Sequence, residues 1–158
     1  MRIISEENDL VSLQFKNQKY YKENIYSKNK IIEKDNKTIE KTKKYLDKYF
    51  KGEKIEKHNI KLAPKGTEFQ KQTWTLLNKI PYGQTTTYKE IGEQIAKIRN
   101  KNKMSAQAIG TAIGHNPIAI IIPCHRVIGT NGKLTGYAAG IDKKEKLLQL
   151  EQGQKIWK

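Results

Sequence analysis

The stretch SAQAIGTAIGHNPIAIIIPCHRV, running from Ser105 to Val127, decides how this chain is read. Its first part has helical spacing. Ile109, Ala112 and Ile113 share an apolar face, and Gln107, Gly110, Thr111 and Gly114 share the opposite one at i, i+3, i+4, i+7. That second face has almost no bulk, so another body can approach its backbone closely. Two bodies qualify: a helix packing through Gly110 and Gly114, or a polyanion drawn to a basic chain. The middle part, Ile118 to Ile122, is an apolar, β-branched run and reads as a buried strand. It delivers Pro123, Cys124, His125 and Arg126 at its end. Cysteine is a nucleophile only as thiolate, and near neutral pH it needs a base or a positive field to get there. His125 is such a base. Adjacent side chains on an extended segment point apart, so a water bridge is the natural link. The competing reading of a lone cysteine beside an apolar run is a buried, inert thiol, which the flanking proline, histidine and arginine argue against.

Upstream of this stretch, Thr67 and Gln70 form a capping pair ahead of Phe69, Trp74, Leu77 and Ile80, with Pro81 and Gly83 as the stop. Thr87 and Glu90 repeat the pattern ahead of Ile91, Ile95 and Ile98. A basic loop with Lys97, Arg99, Lys101 and Lys103 then leads to the helix at about Ser105 to Gly114. Two short helices across a turn predict a helix-turn-helix with an unusually long turn. Downstream, Thr130 to Lys133 signal a tight turn. Gly136 to Gly140 form a loop in which small residues leave room for a flat ligand under Tyr137, or in which Tyr137 is simply a surface ring. The last helix is predicted to start at Asp142, paired with Glu145, and places Leu147, Leu148 and Glu151 on one face. A carboxylate on an apolar face is costly to bury alone. Either it pairs with His125, fixing the tautomer, or it reaches out to solvent. His58 and His115 read as solvated or satisfied.

Residues 1–62 read as a small β-rich α/β module. Val11, Leu13 and Phe15 alternate as a half-buried strand, Ile31 and Ile32 suggest another, and Ile39, Leu46 and Phe50 mark a helix ended by Gly52. Residues 63–66 are the linker and 67–158 the C-terminal domain. The 158 residues carry 31 Lys+Arg against 16 Asp+Glu, a formal charge of +15. Such a surplus attracts nucleic acid or an anionic membrane surface, unless it reflects only a lysine-rich composition. No apolar run spans a bilayer, Met1 to Leu10 is no secretory signal, and a single cysteine excludes an internal disulfide. A reducing cytoplasm follows as the expected compartment, with a Cys-built zinc site improbable.

Residues 121–127, Ile-Ile-Pro-Cys-His-Arg-Val, resemble the active-site signature of the 6-O-alkylguanine-DNA alkyltransferase (methylated-DNA–protein-cysteine methyltransferase) family. The resemblance runs from about Gly66 to Gly153, through Gly66 to Gln70, Ile80 to Gly83, Thr87-Tyr88, Gly114 to Pro117, Gly136-Tyr137, and Leu147-Leu148 with Glu151. It implies an RNase-H-like N-terminal module packed on a mostly helical C-terminal domain with a helix-turn-helix, an α/β (α+β) fold. It also implies single-turnover transfer of an alkyl group from 6-O-alkylguanine in DNA to Cys124, with no cofactor and no metal; 4-O-alkylthymine is a candidate second substrate.

By this resemblance Cys124 is the acceptor, His125 its base through a water, and Glu151 the residue orienting His125. Asn116 braces the active-site turn, and Tyr88 presses on the flipped nucleotide's phosphate and protonates the leaving guanine. Tyr137 borders the guanine pocket, Ala138 offers a backbone N–H to the 6-oxygen, and the Val127 backbone reads the base edge. Ala106, Gln107, Gly110, Thr111 and Gly114 face the minor groove of double-stranded DNA, and Arg126 is grouped with these DNA contacts; the protein acts as a monomer, away from membranes. Gln107 stands where an arginine is usual, Ala139 where a glycine is, and the interval from Tyr88 to Gln107 is longer than in many relatives. Two other readings are a non-enzymatic alkyl-lesion-binding protein, whose kind lacks the cysteine, and a basic helix-turn-helix regulator with a structural cysteine.

Overall fold

β1 (Arg2–Glu6) and β2 (Asp9–Gln14) pair as an antiparallel hairpin in the computed structural model, which describes residues 1–20, 34–55 and 58–153. Alternation along Val11, Leu13 and Phe15 predicts one wet face, yet every residue from Leu10 to Gln14 is buried. The reason is position. Helix α1 (Lys37–Phe50) packs on the hairpin, and β2 takes Leu62 and Ile118 as parallel neighbours at Leu10 and Leu13. A strand covered on all sides buries its polar residues as well, here Ser12 and Gln14. The strand suggested by Ile31 and Ile32 lies outside the described residues. Asn36 caps α1 by accepting from the Ile39 N–H, and the helix buries Thr38, Thr42, Leu46 and Tyr49 along one stripe. Gly52, at φ 81°, takes the left-handed turn that ends it.

Both halves of the Thr67–Gln70 capping box form at the start of α2 (Glu68–Leu77). Gly66 is needed just before it, because a Cβ there would collide with the Trp74 indole. After β3 (Thr86–Thr87), a second complete box, Thr87 with Glu90, opens α3 (Tyr88–Ile98). Ser105 caps α4 (Ala106–Gly114). Helices α2, α3 and α4 pack on one another, and Trp74 Nε1 donates to the Ala112 carbonyl at 2.8 Å, fixing α2 against α4. β3 pairs in parallel with β4 (Val127–Ile128), and α5 (Ile141–Glu151) ends the described chain's regular structure.

Two expectations fail here. Ile118 to Ile122 is not a strand. The Ile122 N–H donates to the Ile118 carbonyl, and within that turn the Ile121 N–H donates to Ala119 across Ile120, which sits at φ 70°. This is a γ-turn centred on a β-branched residue, a strained conformation that persists because complete burial of Ile118 and Ile120 outweighs it. An apolar run has the same periodicity whether it is strand or coiled turn, so the pattern could not separate them. Second, the Asp142–Glu145 pair caps nothing. Gly140, at φ 101°, is the N-cap without a side-chain bond, and Asp142 lies inside the first turn, where a carboxylate complements the helix dipole. No helix among the described residues is long and apolar enough to cross a membrane.

Candidate active site

Asn116 clasps the coiled turn from inside. Its Oδ1 accepts from the Ile118 N–H at 2.9 Å and its Nδ2 donates to the Ile122 carbonyl at 2.7 Å. β2 holds the same turn from outside, through Leu13 N to Pro117 O and Ala119 N to Leu13 O. An inverse γ-turn at Pro123 then feeds a single 3-10 turn, Cys124–Arg126. In that turn the side chains of Cys124 and His125 are set by tight local geometry rather than by an extended segment.

Glu151 is the hub. Expected either beside His125 or in solvent, its side chain is fully buried. Oε1 accepts from His125 Nε2 at 2.7 Å, Tyr49 Oη at 2.7 Å and Arg126 Nη2 at 2.9 Å, while Oε2 accepts from Arg126 Nε at 2.8 Å and the Gly83 N–H at 3.2 Å. Burial works against the charge, but the hydrogen bonds and charges of His125 and Arg126 prevail and hold the carboxyl at about 2. Because Nε2 faces a carboxylate, the network assigns the proton to Nε2 and the lone pair to Nδ1. Nδ1 is buried and has no protein partner. Burial lowers the pKa of His125, against the pull of Glu151, so the ring is neutral and able to accept a proton.

Cys124 is buried and free. Burial pushes its thiol above the ordinary value; the Asn116 amide, the Lys144 ammonium and the backbone N–H groups of Cys124 and His125 pull the other way without prevailing. The resting side chain is therefore a thiol, which needs a base before it can attack. It lines a small, partly open cavity of about 10 Å³, walled by Gln18, Ile113, Gly114, Asn116, Ala119, Gly136, Tyr137, Ala138 and Ala139. That is room for one water. Tyr137 is thus a half-buried ring of the cavity wall with its hydroxyl turned inward, rather than a surface tyrosine, and that hydroxyl is pushed well up by burial and by Cys124. The Ala138 carbonyl accepts from the Lys19 N–H at 2.8 Å, so the chain around Gln18 lies across the cavity mouth. Val127 gives its N–H to the Cys124 carbonyl and its own carbonyl to Lys144, leaving one carbonyl lone pair for any base.

Arg126 corrects an expectation. It is 6% exposed, with its guanidinium occupied by Glu151 and by the Ile80 carbonyl at 2.6 Å. It neutralises a buried carboxylate and is not presented to DNA. Two residues were missed altogether. Lys144 is fully buried, donating to the carbonyls of Val127 and Thr135 and reaching the Tyr88 hydroxyl at 3.3 Å; burial lowers it to about 8. Its signal was available, since Lys144, Leu147, Leu148 and Glu151 share one helical face. Tyr49 was passed over for its neighbour Phe50, although it lies three residues from Leu46 on the buried stripe. Tyr88 donates to the carbonyls of Thr135 (2.8 Å) and Gly136 (3.1 Å), and burial raises its hydroxyl to about 12.

On α4, Ala106, Gln107 and Thr111 are exposed, and Gly110 and Gly114 half-exposed, while Ile109, Ala112 and Ile113 are buried. Among the described residues, a Cβ at Gly110 would meet nothing within 4 Å, so the small face is open there, while at Gly114 it would touch the Tyr20 ring. A groove of about 420 Å³ separates it from Thr67, Phe69 and Gln70, and Lys97, Lys101 and Lys103 are exposed nearby in sequence. His115 stacks on Tyr20 with ring centroids 3.9 Å apart, and His58 is exposed with its ring edge-on to Tyr45.

Comparison with known proteins agrees with this geometry. Residues 68–153 match the 6-O-methylguanine DNA methyltransferase, DNA binding domain, and residues 1–64 match the ribonuclease-like domain of the same proteins. Methylated-DNA–protein-cysteine methyltransferases of Methanosarcina acetivorans and Mycobacterium bovis are 57% identical over 106 residues and 50% over 109. These matches cover 67% and 69% of this chain, and 64% and 62% of those relatives' lengths. The crystal structure of Mycobacterium tuberculosis OGT in complex with DNA superposes with a TM-score of 0.77 at 38% identity, covering 96% of this chain and 85% of that one. The chain belongs to the 6-O-methylguanine DNA methyltransferase family.

Proposed function

We propose that this chain repairs alkylated DNA by moving an alkyl group from the 6-oxygen of guanine onto Cys124 Sγ, once per molecule. The observation that carries this reading is the buried Cys124 thiol beside a neutral His125 whose lone-pair nitrogen is unpartnered and whose other nitrogen is held by Glu151. α4 enters the minor groove of double-stranded DNA with its small, open face, and the exposed lysines of the preceding loop meet phosphates. The target nucleotide is rotated out of the stack, at a cost of a few kcal/mol, and Gln107 fills the gap it leaves. A flipped purine is far larger than the resting cavity, so it enters only as Gln18 and the Tyr137–Ala139 loop draw back.

The thiol proton passes through one bridging water to His125 Nδ1, and Glu151 stabilises the imidazolium. The thiolate attacks the alkyl carbon in line with the 6-oxygen. A carbon–sulfur bond forms, the carbon–oxygen bond breaks, and the electron pair leaves on the guanine. Tyr88, still protonated at neutral pH, supplies that anion's proton and recovers one from the imidazolium. The sums balance as alkylguanine plus thiol giving guanine plus thioether. Asn116 keeps the turn in register, Tyr137 borders the base, Ala138 and the remaining Val127 lone pair read its edge, and the protein works as a monomer. The test is to saturate the protein with a duplex holding one 6-O-methylguanine and map the peptides by mass spectrometry. One methyl on the Cys124 peptide is expected; an unmodified peptide at full occupancy refutes the reading, and would leave lesion binding or regulation.

A further inference from the structure

Tyr49 stands 102 residues before Glu151 in sequence, in the N-terminal half, yet its hydroxyl ends inside the site. It is fully buried, donates to Glu151 Oε1 at 2.7 Å and lies 3.4 Å from His125 Nε2. The ring is wedged edge-on against Phe50 and Tyr82. A core phenylalanine would fill that space equally well, so the hydroxyl is there for the carboxylate it touches. Among the described residues, the charged and titratable groups around His125 and its carboxylate are Glu151 and Lys144 on α5, Arg126 and Cys124 on its own turn, Tyr49 and Tyr45 on α1, Tyr82 on the loop before β3, and Tyr137 across the cavity. Three donors converge on Oε1: His125 itself, Arg126 Nη2 and Tyr49.

We infer that Tyr49 is a positioning residue for the His125–Glu151 pair, supplied by the N-terminal half of the chain. By sharing Oε1 it draws charge from the oxygen that holds the imidazole. The carboxylate then orients His125 without gripping the imidazolium so hard that the ring is protonated before it can take the Cys124 proton. Burial and the adjacent carboxylate push the phenol's own pKa up, so it donates at every working pH. The N-terminal half thereby sets the basicity of a histidine in the C-terminal half. This inference rests on the alkyl-transfer reading of the site, but the measurement that decides it does not.

The experiment is an NMR titration of His125 in the full chain, wild type and Tyr49→Phe, which is tractable because the sequence holds 3 histidines. Losing one hydrogen bond to the carboxylate is expected to raise His125 by about one pH unit. In single-turnover transfer from a methylated duplex, the acid limb of the rate profile moves up equally, with DNA affinity unchanged. A His125 titration and an acid limb that both stay put, whatever the melting temperature does, overturn the inference and make Tyr49 core packing. If wild type transfers no alkyl group, the function fails while the titration still decides Tyr49. In wild type itself, the Tyr49 hydroxyl proton is expected as a slowly exchanging downfield resonance close to the His125 ring; its absence overturns the inference even where the variant does not fold.

Discussion

Replacing Glu151 by glutamine tests the buried hub with one atom's change. The carboxylate takes five hydrogen bonds and neutralises Arg126, itself buried. An amide keeps one acceptor oxygen and turns two N–H donors toward Arg126 Nε and the Gly83 N–H, while the guanidinium loses its counter-ion. Breaking a buried pair from one side costs about 3–5 kcal/mol, a third or more of a typical domain's stability. At roughly 2–4 °C per kcal/mol, the midpoint should fall by about 6–20 °C. The pH dependence gives an independent check. Glu151 is depressed from 4.5 to about 2 in the folded protein, so it contributes stability that is complete above pH 4.5 and lost as pH falls toward 2. The drop of about 2.5 units corresponds to about 3 kcal/mol. Calorimetric melts from pH 7 down to 2 should therefore show a steeper acid decline for wild type than for Glu151→Gln. A loss under about 3 °C at pH 7, or parallel acid declines, would refute the hub.

Gln107→Arg places a charged wedge on the open face of α4 and should accelerate transfer from duplex more than from single-stranded substrate; equal acceleration on both discards the wedge. If Lys97, Lys101 and Lys103 meet phosphates, they alone contribute a log–log salt slope of about −2.7 to DNA affinity. Replacing all three by glutamine should flatten the measured slope by that amount, and an unchanged slope removes the end of α3 and the loop after it from the interface. Gly66→Ala drives a methyl into the Trp74 indole. A loss of about 1–3 kcal/mol is expected by chemical denaturation, and unchanged stability would mean that the segment before α2 shifts freely.

Helix ends were legible in the sequence because caps are local. Thr67 with Gln70, Thr87 with Glu90, and Gly52 each act within one turn, and all three appear as read. The small face of α4 was legible for the same reason. What failed depended on distant partners. Ile118–Ile122 coils because β2, about a hundred residues earlier, holds it from outside, and because Asn116, although only two residues before Ile118, clasps both ends of the turn with one side chain. Arg126 turned inward because Glu151, twenty-five residues on, needed neutralising. Lys144 was hidden by its charge, although its helical face was readable, and Tyr49 by lying in the half of the chain that carried no motif. The sulfur's resting protonation was not legible, because burial, which raises a thiol, leaves no mark in a motif that names only its neighbours.

The chain's single cysteine allows one direct measurement of the central claim. With cysteine labelled at Cβ, carbon NMR reports the state of Cys124 alone. The free protein should show a thiol at neutral pH, and one equivalent of methylated duplex should convert the whole signal to a thioether. A thiolate in the free protein would contradict the relay, and a thiol that survives saturation with methylated DNA would contradict the repair function.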